Sequence, residues 1–213
     1  MTIVNQQAAI QIDRIAARTV RVPIVGTSPL IMHNFSEKSR KAMLDAMQGK
    51  AKKKEAKDPE AEYEAAFYRY VDQITGAEAY GFPVTAFKAA TVGAARFYGK
   101  DVSMTGLRQV LFMRGVMGTD GQQLVPIVGE PRMREDYVRV GQGGTDLRYR
   151  PEFPEWSGVL EVTYVESSIA LSSVLSLIDA GGLGVGVGDW RPEKRGEFGT
   201  YAVDKSQQVE LID

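Results

Sequence analysis

Residues 181–203 read GGLGVGVGDWRPEKRGEFGTYAV. Glycine recurs at 184, 186 and 188, then an acid, an indole and three basic residues follow, and Gly196-Glu197-Phe198-Gly199 leads into Tyr201-Ala202-Val203. Glycine tolerates positive φ and lets backbone approach closely. The pattern predicts a glycine-punctuated turn that closes into a last strand, FGTYAV. Upstream, IALSSVLSLIDAGG (169–182) reads as an apolar helix led in by Ser168, with Gly181-Gly182 as its stop. Before it, WSGVLEVTYVE (156–166) alternates Val159, Glu161 and Thr163 against Leu160, Val162 and Tyr164, the period of a half-buried strand. The C-terminal part is therefore strand, helix, glycine turn, strand.

The rest of the chain extends this order. TVRVPIV (19–25) alternates like a strand, and Pro23 suggests an edge or a bulge. Gly26-Thr27-Ser28-Pro29 breaks the run and Leu30-Ile31-Met32 resumes it. Ser36 is placed to cap a helix, SEKSRKAMLDAM. GKAKKKEAKDPEAE (49–62) has almost no large apolar residue and reads as an exposed helix or an arm. AEYEAAFYRYVD can be helix or strand. After the turn Tyr80–Pro83, Thr85 is placed to cap AFKAATVGAARFYG, whose Phe87, Ala90, Ala94 and Phe97 share a face. MTGLRQVLFMRGVMG (104–118) ends as a strand, Asp120-Gly121 signals a hairpin, and QLVPIVG (123–129) is the returning strand. Residues 130–153, EPRMREDYVRVGQGGTDLRYRPEF, form a long, weakly periodic stretch that predicts a functional loop or a β-hairpin excursion. No internal repeat is present.

This order is compatible with a βαββαβ core carrying insertions. The expected fold is α+β: an RRM-like (ferredoxin-like) antiparallel sheet with helices on one face. Residues 1–213 are expected to form a single domain, with a Lys-rich insertion about 36–62 and an Arg-rich loop or hairpin about 130–153.

Composition narrows the function. Of 213 residues, 26 are Lys or Arg and 27 Asp or Glu, for a formal net charge of −1. Nucleic-acid binders that work by bulk charge are more basic, so any such site must come from local clustering. There is no cysteine, which removes disulfides, thiolate metal sites and thiol catalysis. No apolar run approaches the ~18 residues of a membrane span, and the first residues lack a signal-peptide pattern. A cytoplasmic location and no membrane partner are expected.

Three stretches, in order, resemble the RAMP superfamily of CRISPR-associated proteins, nearest its guide-lining backbone subunit. They are the opening strand with GTSPLIMH, the element YGFPVTAFKAATVGAAR, and the glycine loop ending GEFGTYAV. The chain is short for such a subunit and its loop carries an inserted Asp189-Trp190 and Pro192, which points to a phage-encoded relative. The resemblance implies a binding protein rather than an enzyme. It would assemble as repeated copies, in a helix or ring, along single-stranded RNA or DNA, with CRISPR or phage recombination proteins as further partners. It also implies that 130–153 is a protruding thumb hairpin.

Candidate contacts follow. In the glycine loop, Gly186 and Gly188 would turn amides toward phosphate, Arg191, Lys194 and Arg195 would add charge, and Trp190 would stack on a base. The bland alternative is a surface hairpin. In the Arg-rich stretch, Arg132, Arg134, Arg139, Arg148 and Arg150 interleave with Tyr137 and Tyr149, a mix suited to a single-strand groove. Glu130, Glu135, Asp136 and Asp146 stand among them and can absorb that charge. Lys38, Arg40 and Lys88 complete the basic set. His33 is the only histidine; it suits a contact or a base near neutral pH, yet the sequence offers it no obvious carboxylate. Glu135-Asp136 is a weak metal candidate. GxxxxGK[ST] and GxSxG are absent, and Gly184, Gly186 and Gly188 do not form GxGxxG before a helix. No cofactor is expected. The alternative function is a phage-encoded protein-interaction module or CRISPR inhibitor that uses the same fold without nucleic acid.

Overall fold

The computed structural model describes residue 12 and residues 14–34, 37–49, 57–100, 102–140 and 144–212. In chain order the elements are β1 (Ala17–Gly26), β2 (Leu30–Ile31), α1 (Glu37–Met47), α2 (Pro59–Ala65), β3 (Arg69–Val71), β4 (Glu78–Pro83) and α3 (Val84–Gly93), which runs into a 3-10 turn at Ala94–Tyr98. Then come α4 (Met104–Val110), β5 (Leu111–Arg114), β6 (Val116–Met117), β7 (Gln123–Val128), β8 (Arg132–Val140), β9 (Gly144–Phe153), β10 (Ser157–Val165), α5 (Leu171–Gly184), β11 (Tyr201–Val203) and β12 (Glu210–Ile212). The expected cap Ser36 and the lysines at 50 and 52–54 lie outside the described residues, as does the Lys38 side chain.

The central strands run β11-β1-β10-β5, each antiparallel to its neighbour. The path β1, α3, β5, β10, α5, β11 is thus a ferredoxin-like βαββαβ with the spatial order fourth, first, third, second. The fold is α+β, as the sequence order suggested. A second edge is built beside β10: β7 pairs with Ser157 and Gly158, β4 pairs with β7, and β3 pairs with β4. The Asp120-Gly121 signal closes the β6–β7 hairpin, with Val116 opposite Leu124. Within 130–153, β8 pairs with β9 in a long antiparallel ladder, and β9 also pairs with β2.

Burial explains the alternation in β10. Leu160, Val162 and Tyr164 are buried with Val20, Val22 and Ile24 of β1. On the helices, Phe87, Ala90 and Ala94 and the i, i+3, i+4 set Val174, Leu177 and Ile178 face them. The rings of Phe87, Trp156 and Tyr201 meet edge-on or tilted at 5.5–6.5 Å, and the buried Trp156 Nε1–H is satisfied by the Ser28 carbonyl at 2.9 Å.

Four local expectations are corrected. Pro23 is neither at an edge nor in a bulge: β1 is a central strand. Its polar edge at Pro23 faces the break between β12, which pairs with 19–21, and β11, which pairs with 24–26. The Asp204 amide donates there to the Pro23 carbonyl at 2.9 Å, so no strand is denied a donor. Gly181 and Gly182 do not stop α5 but lie within it. A Cβ at Gly181 would stand 2.6 Å from the Ala90 carbonyl oxygen of α3, and one at Gly182 2.0 Å from that of Tyr201, so these glycines let the helix close on its neighbours. Thr85 lies inside α3, whose N-cap position is Pro83. Phe97 is exposed because the helix tightens to 3-10 after Gly93, which rotates it off the expected face.

Candidate nucleic-acid interface

The glycine loop is fixed by its own backbone. The Val187 amide donates to the Gly199 carbonyl at 2.9 Å, Gly199 to Pro29 at 2.8 Å, and Asp189 to Ile31 at 3.1 Å, which ties the loop to β2. The amides of Gly186, Glu193, Lys194, Arg195, Gly196 and Phe198 also donate to protein carbonyls. Of the two glycine amides expected to turn toward phosphate, that of Gly186 is instead spent inside the fold, on the Gly181 carbonyl at 2.9 Å. Gly188 is required on two counts, φ +80° and a would-be Cβ only 2.6 Å from the Ile31 carbonyl oxygen.

Three regions far apart in sequence converge on Asp189. His33 Nδ1 lies 3.2 Å from Asp189 Oδ2, and Arg150 Nη1 lies 3.0 Å from the same oxygen. His33 therefore has the carboxylate partner that the sequence did not reveal. Burial pushes the Asp189 carboxyl up, but the His33 hydrogen bond and the positive charge of Arg150 outweigh it and hold the group below its ordinary value. The Tyr68 hydroxyl donates to the His33 carbonyl at 3.2 Å. Burial first, then the nearby charge of Asp189, pushes its pKa up to about 12.

Arg150 begins a chain of alternating charge up the hairpin. Cross-strand partners Arg132 and Glu152, Arg134 and Arg150, and Asp136 and Arg148 share one face of β8–β9. Arg134 donates from Nε to Asp136 at 2.9 Å and from Nη1 to Glu152 at 2.9 Å, while Arg132 Nε reaches Glu152 at 2.6 Å. Burial works against the Arg134 charge, yet these two carboxylates more than restore it and raise its pKa. Its guanidinium also lies 4.7 Å over the Phe198 ring, which docks the hairpin on the glycine loop. Arg132, Arg134 and Arg150 are thus committed to internal carboxylates. Asp146 is held by Lys57 at 2.5 Å and stands 3.8 Å from Arg148. Arg139 is exposed and, among the described residues, has no ion pair.

In the loop, Arg191 shares Glu193 with Arg96 and also donates to the Gly188 carbonyl at 3.1 Å. The Arg96 hydrogen bond, then those of Arg191, lower the Glu193 pKa. Lys194 and Arg195 have no ion pair among the described residues. Two clefts meet at Asp189 and Arg191. One, of about 230 Å³, runs from His33 and Tyr68 along Pro83, Ala86 and Ala89 to Gly186–Asp189. The other, of about 290 Å³, lies between Arg150, Trp190 and Lys194. No residue of β1, β5 or β10 lines either cleft.

Lys88 and Arg40 are not brought here. Lys88 projects from the other side of α3, 5.1 Å over the Phe112 ring and 3.4 Å from the Arg108 carbonyl. Arg40 is exposed on α1, whose Met43, Leu44 and Met47 are also exposed. Among the described residues no group of three His, Cys, Asp or Glu could hold a metal ion, and no helix is long and apolar enough to cross a membrane. Sequence reasoning missed Asp189 and Tyr68 as members of the site. Asp189 lay in view as an insertion beside Trp190, but only the fold pairs it with His33, 156 residues away.

No family model and no curated protein matches the chain. Among solved structures, a cryo-electron microscopy structure of the Type III-B Cmr-beta bound to cognate target RNA is similar at a TM-score of 0.46 and 9% identity, over 92% of this chain and 61% of that one. The crystal structure of Cmr6 from Pyrococcus furiosus is similar at a TM-score of 0.42 and 8% identity, over 90% of this chain and 100% of that one. This chain therefore spans less than two thirds of the length of the first. The likeness concerns the fold alone.

Proposed function

We propose that the chain binds single-stranded nucleic acid, RNA or DNA, along the paired clefts, and that repeated copies coat the strand. The observation that carries this reading is the convergence of the Arg-rich hairpin, the glycine loop and His33 on Asp189, which makes one groove from three separately basic or polar segments. Phosphates are gripped by the cations that have no carboxylate partner among the described residues, Lys194, Arg195 and Arg139, with Arg148 and Arg191 beside them. The internally paired arginines build the wall. A groove with a few exposed cations in a chain of net charge −1 fits local rather than bulk attraction.

The test is fluorescence anisotropy of labelled RNA and DNA oligonucleotides at several salt concentrations, with elution volume followed in parallel. Binding should weaken steeply with salt. Lys194→Glu with Arg195→Glu should weaken it for all sequences alike and flatten the salt slope by roughly 0.7 per lost phosphate contact. Binding by the double variant equal to the parent's would remove this site.

A second reading has its own observation. Helix α1 exposes Met43, Leu44 and Met47, an apolar group suited to a protein partner. Salt-insensitive self-association with no nucleic acid would favour an interaction module.

A further inference from the structure

We propose that the cleft between Arg150, Trp190 and Lys194 seats one nucleotide unit, its base against the Trp190 indole and its phosphate against Lys194 and Arg191. This rests on the single-stranded nucleic-acid reading and narrows it to a built subsite.

The two tryptophans make the contrast. Trp156 is 3% exposed, meets core rings edge-on or tilted and spends its N–H on Ser28. Trp190 is 44% exposed and lies outside the core cluster, and among the described residues its ring meets no other ring and no cation. It is nevertheless held in place. Its backbone has φ +56°, uncommon for a bulky residue. The Phe198 amide fixes its carbonyl at 3.1 Å, and Gly196 packs so closely that a Cβ there would stand 1.7 Å from that oxygen. Backbone held in a sparsely populated region, over-determined by its surroundings, is a mark of binding sites. Here it presents a flat apolar ring at the cleft.

The opposite wall is cationic. Arg150 is 3% exposed, and its Nε has no hydrogen-bond partner. Arg150 is paired with Asp189 and Asp136 and Arg191 with Glu193, so Lys194, which has no ion pair among the described residues, is the cation this cleft offers to an anion, with Arg191 beside it. At about 290 Å³ the cleft is at the small end of the ~300–1,000 Å³ range of small-molecule sites, room for one nucleotide and not for a stacked run. A bare phosphate would leave the indole unused, and a nucleoside would leave Lys194 unused. A ligand with both a π face and a phosphate uses both walls.

The test reads Trp190 emission while the parent protein is titrated with AMP, UMP, adenosine and inorganic phosphate, with Trp190→Phe and Trp190→Ala as controls. Both variants change an exposed residue outside the core. The nucleotides should quench saturably at lower concentration than adenosine or phosphate. The quench should vanish in both variants and weaken in Lys194→Glu. Trp190→Ala should cost roughly 5- to 150-fold in oligonucleotide affinity, the range for loss of one base stack, and Trp190→Phe should recover most of it. Oligonucleotide binding without nucleotide quenching, together with parent-like affinity of Trp190→Ala, would overturn the seat and leave the broader reading standing. Nucleotide quenching without oligonucleotide binding would keep the seat and sink the broader reading.

Discussion

Arg150 Nη1 lies 3.0 Å from Asp189 Oδ2 and 3.5 Å from Asp136 Oδ2, so one buried guanidinium stands between a hairpin strand and the glycine loop. The first prediction follows from its burial. Arg150→Met would remove one of the two cations beside buried Asp136 and leave Arg134 at 2.9 Å, so the variant should be destabilised, but by less than the about 3–5 kcal/mol of a buried charge left with no partner. Urea denaturation should show this as a lower midpoint. Arg139→Met, at an exposed position, should stay within about 0.5 kcal/mol of the parent.

Much of the fold was legible because β10 and α5 obey simple periods. The alternation from Val159 to Tyr164 and the spacing of Val174, Leu177 and Ile178 say which side faces the core. The glycines misled where local and tertiary causes compete. Gly181-Gly182 fits a helix stop in sequence, yet contacts with Ala90 and Tyr201 dictate it. The basic residues of the site were legible as a set but not by role. Whether an arginine is free depends on cross-strand register, and Arg132 faces Glu152 only once β8 and β9 are aligned. Strand β12 was not anticipated at all, because its three residues lack a period to read.

The second prediction separates those causes. For a helix-interior glycine, propensity alone says alanine stabilises by about 0.5–1 kcal/mol. At Gly182 a Cβ would stand 2.0 Å from the Tyr201 carbonyl oxygen, so Gly182→Ala should lower the melting temperature instead.

A third prediction concerns acid. Asp189 has a folded pKa below its unfolded value, so its contribution is present above the unfolded value and lost as pH falls through the folded one. Thermal melts from neutral pH down through the ordinary carboxylate range should fall more steeply for the parent than for Asp189→Asn.

At the alkaline end the sign reverses. The Tyr68 pKa is raised from 10.0 to about 12, so the stability it lends is whole below 10 and is lost as pH rises toward 12. Burial raises the Tyr201 pKa as well, so tyrosinate absorbance should show one fewer late-titrating group in Tyr68→Phe than in the parent.

The internal hydrogen bonds of the glycine loop have a kinetic corollary. A loop so rich in glycine would ordinarily be floppy, and a ligand would have to wait for it to close. With the amides of Val187, Asp189 and Gly199 bonded to Gly199, Ile31 and Pro29, those protons should exchange with solvent slowly even in the free protein, and binding should alter their rates little. Under the proposed function an incoming strand would meet a preformed surface, so encounter rates should be governed by diffusion and charge steering rather than by loop rearrangement.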